Sequence, residues 1–278
     1  MRGTAVLSTG CRPATSSGVN PGKPPTRVLR LVLEYDGTDF SGWQVQLGKR
    51  TVQGEVARAV QRVTGERVVV HGASRTDAGV HAEGQVAHLR TRTRIGCDRL
   101  VHALNAHLPP DVVVLRIDEV PEGFHAQYHA TGKTYRYRLL ERPVRSALRR
   151  NRAYLVRTPL DLERMRASAA RLTGLRDFRA FCTEARTRGR TERRIDRLDV
   201  RREGDEMVIE VSGSGFLYNM VRTIVGTLIW AGIGKLSPDD VSAILESKDR
   251  RRAGPVVPPQ GLTLVEVRYG DGPGPASP

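Results

Sequence analysis

The segment Gly72-Ala73-Ser74-Arg75-Thr76-Asp77-Ala78-Gly79-Val80-His81-Ala82 groups a carboxylate, a guanidinium, an imidazole and two glycines directly after the apolar run Val68-Val69-Val70. A strand that empties into a glycine-flanked polar loop is a common way to hold a reactive side chain at the edge of a cleft. Asp77 is the one acid of the segment, and an ionised carboxylate can act as a nucleophile or a base. Arg75 precedes it by two positions, so on an extended backbone both side chains point to one side. There the arginine would keep the carboxylate ionised and oriented. The plainer alternative is a tight turn in which Asp-Ala-Gly only bends the chain.

The elements that must position this loop follow from periodicity. Strict alternation predicts a strand over Arg27–Tyr35, broken by Asp36-Gly37-Thr38-Asp39. Val56, Ala59, Val60 and Val63 recur at helical spacing after Val52, with Gly65 as C-cap. A strand over Arg67–His71 leads into the Asp77 loop and another, Gln85–Arg90, leaves it. Leu100, Ala103, Leu104 and Leu108 mark a second helix that Pro109-Pro110 stops, and Val112–Val120 is a strand. This half alternates in the β-α-β-β-α-β manner of ferredoxin-like or RNA-recognition-type units. The second half repeats that alternation. It has a strand over Lys133–Leu140, a helix on Leu162, Met165, Ala169 and Leu172, a hairpin of Arg197–Arg202 and Glu206–Val211, an apolar helix Phe216–Gly232, and a last strand Leu262–Tyr269. The expectation is an α+β fold of two such units, residues 28–125 and 126–270, sharing a largely antiparallel sheet with the active-site cleft between them. Residues 1–27 and 271–278 read as tails, the first rich in Gly, Pro, Ser and Thr.

Composition narrows the partner. Forty-five Lys and Arg against 30 Asp and Glu leave a formal charge of +15, nearly all of it arginine, which favours a polyanion such as nucleic acid. Arg142, Arg145, Arg149, Arg150 and Arg152 form one cluster; Arg186, Arg188, Arg190, Arg193, Arg194, Arg197, Arg201 and Arg202 form another, diluted by Glu192, Asp196 and Asp199. Such runs usually mark a solvated face; in so basic a chain, phosphate contacts are the better reading, above all for Arg186, Arg188 and Arg190, with Lys133 joining them. Cys11, Cys97 and Cys182 lie far apart, with no zinc spacing, so no metal is expected and a reduced, cytoplasmic setting fits. Asn219 and Arg222 interrupt the one long apolar stretch, so no membrane crossing is expected. His81, His125 and His129 receive no catalytic role.

The order Arg-Thr-Asp-Ala-Gly-Val-His-Ala resembles the signature loop of the TruA family of tRNA pseudouridine synthases. The likeness continues in Tyr35-Asp36-Gly37, Gly42-Trp43-Gln44, Thr51-Val52-Gln53, Asn105-Ala106-His107-Leu108-Pro109, Phe124-His125-Ala126, Lys133-Thr134-Tyr135-Arg136-Tyr137 and Asn219-Met220-Val221-Arg222, all in the family's order from about Val28 to Tyr269. The resemblance implies isomerisation of uridine to pseudouridine at positions 38, 39 and 40 of the tRNA anticodon stem-loop, by a homodimer without a cofactor. It makes Asp77 the nucleophile, Arg222 its cationic partner, Tyr135 the ring that stacks on the target uracil, and Arg75 the group that intercalates or contacts phosphate where the base leaves its stack. A lone arginine among Met220, Val221, Ile224 and Val225 independently calls for a partner, whereas Tyr137 reads as strand packing. The stretch Gly254–Pro259 departs from the pattern and is expected to lie apart from the catalytic loop.

Two other readings of these residues are possible in principle, and both fit them less well. A non-catalytic RNA-binding or RNA-folding protein of the same fold has no need for Asp77, Arg222 and Tyr135 together. An Asp-dependent glycoside hydrolase wants two carboxylates across the scissile bond, and Glu83 is the one second acid on offer near Asp77.

Overall fold

The computed structural model describes residues 25–183 and 190–270. The first half contains β1 (Arg27–Tyr35), α1 (Val52–Thr64), β2 (His71–Gly72), β3 (His81–Thr91), α2 (Cys97–Asn105) and β4 (Val112–Val120). The second contains β5 (Ala130–Glu141), β6 (Tyr154–Val156), α3 (Leu162–Ala170), β7 (Gly174–Asp177), β8 (Glu192–Glu203), β9 (Glu206–Gly213), α4 (Met220–Gly232), α5 (Pro238–Ser247) and β10 (Leu262–Tyr269). All ten strands belong to one sheet, in the order β4-β1-β3-β10-β5-β9-β8-β7, with β2 also on β3 and β6 on β5. Pairing is antiparallel except for β10 with β3 and β5 with β6. Each half has the ferredoxin-like order: β4-β1-β3-β2 in the first, β10-β5-β9-β8 in the second. The α+β expectation holds.

Local sequence explains most elements. In β1, Leu29, Leu31, Leu33 and Tyr35 fill one buried face. In α1, Val52, Val56, Ala59 and Val60 are the buried stripe, and Gly65 ends the helix in the left-handed region (φ 74°). The second half's helix α4 is apolar almost all round and mostly buried, as a helix covering a sheet must be.

Several boundaries differ from the sequence reading: β3 starts at His81 rather than Gln85 and β8 at Glu192 rather than Arg197, and three others have a clear local cause. The helix expected from Phe216 starts at Met220, because Asn219 adopts φ 58° and Phe216–Tyr218 stay non-helical. Helix α2 ends at Asn105, whose amide side chain turns to the backbone of Val114, accepting from its N–H (2.8 Å) and donating to its carbonyl (2.9 Å). The strand expected over Arg67–His71 shrinks to His71–Gly72. Gln53 Nε2 donates to the Val70 carbonyl at 2.6 Å, so a side chain satisfies a group the ladder would otherwise use.

That shortening matters for the whole molecule. One edge of β3 serves β1; the other serves β2 only at Ala87–His88. Its start, His81–Ala82, is left open, and there β10 pairs in parallel through Thr263 and Leu264. The same strand pairs antiparallel with β5, so the last strand welds the halves together. The expectation missed β6, β7 and α5. Helix α5 carried a legible start: Ser237 and Asp240 form a reciprocal capping box around Pro238. Among the described residues, no helix is long and apolar enough to cross a membrane.

Candidate active site

The Asp77 loop runs from Ala73 to Val80 beside β3 and is held by side chains rather than by a ladder. Gln85, fully buried on β3, accepts from the Ser74 N–H (3.2 Å) and donates to the Ser74 carbonyl (2.7 Å). The Thr76 hydroxyl lies 2.7 Å from the Tyr35 phenol, and the Thr76 carbonyl accepts from Trp43 N–H at 3.0 Å. Burial pushes the Tyr35 phenol well above its ordinary pKa, so it stays protonated. Gly37 packs so closely on this loop that a Cβ there would stand 2.0 Å from the Val80 carbonyl oxygen. The turn closes with Val80 N–H donating to Asp77 O at 3.2 Å, through Gly79 at φ 78°.

Ser74 and Thr76 therefore point inward, and Arg75 and Asp77 face an open cleft of about 770 Å³. That lies within the roughly 300–1,000 Å³ of pockets that enclose a small ligand. Arg75 is exposed at the cleft and, contrary to the sequence reading, makes no ion pair with Asp77 within 4.0 Å. Arg222 takes that place. Its Nη1 lies 3.3 Å from Asp77 Oδ2 and donates to Asn219 Oδ1 at 3.0 Å, while its Nε donates to the Val257 carbonyl at 2.7 Å. The side chains of Arg222 and Asp77 are 16% and 26% exposed, so the pair is partly desolvated and its geometry fixed by further bonds. Burial raises the Asp77 pKa above 3.8, and the Arg222 charge and hydrogen bond oppose that rise.

Tyr135, on β5, lines the same cleft and places its hydroxyl 2.7 Å from Ser74 Oγ. Burial, with the Asp77 charge adding to it against the Ser74 hydrogen bond, pushes the phenol up to about 12. It stays protonated at neutral pH. Phe216 packs edge-on against it, ring centres 5.2 Å apart. Two positions earlier on β5, Lys133 donates from Nζ to the Ala73 carbonyl at 2.7 Å. The site thus combines a loop of the first half, a strand face of the second and the first turn of α4.

The remaining sequence candidates separate. Tyr137 is buried and donates to the Pro258 carbonyl at 2.7 Å, as strand packing. Buried His81 accepts at Nδ1 from Gly37 N–H (3.0 Å) and sets Nε2 3.2 Å from the Gln260 carbonyl; burial lowers its pKa. Arg190 is exposed, 3.5 Å from Glu192. Arg186 and Arg188 lie outside the described residues. Glu83, the second acid a hydrolase would need, is bound to Arg136 at 3.1 Å and does not line the cleft.

Sequence reasoning missed Gln85, Ser74 and Phe216, and it misplaced Gly254–Pro259. This stretch braces the site: Val257 holds Arg222, Pro258 receives Tyr137, and Pro259 packs on Gly79. Nothing in its composition signals this, because the contacts use backbone carbonyls and a proline ring.

A family model described as tRNA pseudouridine synthase matches residues 31–129 and 168–270. The chain is 46% identical over 243 residues to tRNA pseudouridine synthase A of Acetivibrio thermocellus, covering 87% of this chain and 100% of that one. It is 46% identical over 244 residues to the protein of that name from Ruminiclostridium cellulolyticum (87% and 100% covered). It is 45% identical over 243 residues to the one from Allorhizobium ampelinum (86% and 94% covered).

Proposed function

The chain belongs to the tRNA pseudouridine synthases, a family of isomerases, and on that premise we propose that it converts uridine to pseudouridine at positions 38, 39 and 40 of the tRNA anticodon stem-loop, with Asp77 as nucleophile and no cofactor. The observation that carries the reading is the Asp77–Arg222 pair at 3.3 Å, set at the cleft with Tyr135 beside it.

The reaction breaks the N1–C1′ bond of uridine, turns the base over, joins C5 to C1′ and releases the C5 proton. No electrons are exchanged with a second molecule and no group is added, so the protein's own side chains suffice. A carboxylate can start it by attacking C1′ or C6 or by taking a ribose proton, and each route needs the ionised form. Arg222 supplies the charge that opposes the rise due to burial. The uridine must leave its stack to reach Asp77; Tyr135 is the ring for the extruded base, and such stacking is worth about 1–3 kcal/mol. Arg75, exposed at the rim, meets the RNA where the base departs. Lys133 and Arg190, with Arg186 and Arg188, contact phosphates.

The family resemblance carries further expectations: units of residues 28–125 and 126–270, a homodimer with one cleft per active site, and action in the cytoplasm. Sedimentation of the purified chain tests the dimer. The activity is tested by release of tritium from tRNA labelled at uridine C5, wild type against Asp77→Ala. Release by the wild type alone supports the reading. A wild type that binds unmodified tRNA yet releases no label is an RNA-binding protein.

A further inference from the structure

Strand β8 is largely self-neutralised. Arg190, just before it, and Arg194, Arg197, Arg201 and Arg202 on it each lie within 4.0 Å of a carboxylate, mostly two residues further along the chain. Arg193 has no carboxylate partner among the described residues. Its Nη1 donates to the carbonyls of Arg190 (2.8 Å) and Glu192 (2.7 Å), which fixes the guanidinium without cancelling its charge. Lys133 is in the same condition: half-buried, held by the Ala73 carbonyl, with no acid in ion-pair range among the described residues.

The sheet brings these two cations together. Lys133 on β5 is opposite Gly213 on β9, and Gly213 is opposite Ile195 on β8, two residues past Arg193. Gly213 puts no side chain between them. A side chain at Gly215 would come within 3.9 Å of Arg193 Nε, so the guanidinium reaches the segment where Phe216 begins the cleft wall. Burial, reinforced by the Arg193 charge, pulls the Lys133 pKa down to about 8. Neighbouring like charges in a partly desolvated place repel until an anion sits with them. Lys133 itself lines the cleft, on the strand face of Tyr135.

We propose that Lys133 and Arg193 together seat one phosphodiester of the bound tRNA at the foot of the Asp77 loop. The proposal rests on the tRNA reading above and adds Arg193 and a shared phosphate to it. Lys133 donates one N–H to the Ala73 carbonyl and has two left for phosphate oxygens; Arg193 keeps Nη2 and Nε. Because the same ammonium holds the Ala73 carbonyl, the substrate backbone and the start of the loop share one anchor, next to the ring that meets the base.

The test uses the full chain and unmodified tRNA, with binding measured across a salt series. Lys133→Met and Arg193→Met are each expected to weaken binding about five- to tenfold at low salt, with Lys133→Arg recovering most of the loss. The double variant is expected to bind little worse than either single one, and to lower the slope of log K against log salt by about one in total, the signature of one phosphate. A loss of about two would place the cations on separate phosphates and overturn the proposal. So would Lys133→Met binding like wild type while turning over slowly, since the lysine would then only hold the loop. Tritium release by the wild type in the same preparation separates these outcomes from a failure of the tRNA reading. Thermal melts establish that each variant is folded.

Discussion

The β2–β3 and β8–β9 connections occupy the same place in the two ferredoxin-like halves, yet they are built oppositely. The long strands β8 and β9 stay paired to Glu203 and Glu206, and only Gly204-Asp205 turns the chain. Asp205 is spent on surface ion pairs with Arg149 and Arg142. Strand β2 stops after two residues, and eight more pass before β3 begins. The polar backbone freed there is satisfied by Gln85 and Trp43, while Tyr35 and Tyr135 hold the hydroxyls of Thr76 and Ser74. One frame, used twice, gives a tight turn where nothing is asked of it and a braced loop where a carboxylate must face a cleft. The loop also vacates the β3 edge that β10 occupies, so the active-site loop and the junction of the halves have a common cause.

The contrast can be broken most severely at the acid itself. Asp77→Asn keeps the shape and removes the charge, and tritium release should fall by about 10³-fold or more with tRNA binding retained. Next is the packing behind the loop. Gly37→Ala puts a methyl into the Val80 carbonyl, and denaturant titration should show a loss of about 1–3 kcal/mol. Turnover should fall as well, since displacing a reactive group by about 1 Å can cost 10²-fold. A Gly37→Ala protein as stable and active as wild type would mean that the loop is not braced from β1.

Arg222→Gln sharpens the electrostatic half of the contrast. Burial raises the Asp77 pKa and Arg222 restrains it, so removing the arginine lets the pKa rise further. Activity needs the carboxylate and is lost as pH falls through that pKa. The acid limb of kcat/KM should therefore move to higher pH. A limb that stays in place would show that another group titrates there. The smallest effect belongs to the counterpart turn. Asp205→Asn should leave tritium release within about twofold of wild type and the melting temperature within about 2 °C, as for exposed ion pairs elsewhere.

Much of the fold is legible in the residues alone. Leu29, Leu31, Leu33 and Tyr35 alternate, Val56, Ala59 and Val60 repeat at helical spacing, and Gly65 stops its helix; these signals are local, and local backbone preference enforces them. The run Ser74–Asp77 already announces inward hydroxyls and outward charge through its alternation. The resemblance named Asp77, Arg222 and Tyr135, and the cleft brings all three together. What it could not name were Gln85, which looks like any strand glutamine, and Val257, which acts only through its carbonyl.

The sequence by itself determined most of the longer strands and helices, the positive charge and the chemical inventory of the site, since each depends on residue type and near neighbours. Tertiary structure decided the pairings. Asp77 meets Arg222, 145 positions away, rather than Arg75 two positions away. The reason is that the loop turns Arg75 out to solvent, whereas α4 and the Val257 carbonyl hold Arg222 in a place where burial makes an opposite charge worth most. It also decided which cations are left without an acid: most of β8 pairs with its own acids, whereas the register across β5, β9 and β8 brings Lys133 close enough to Arg193 to feel its charge.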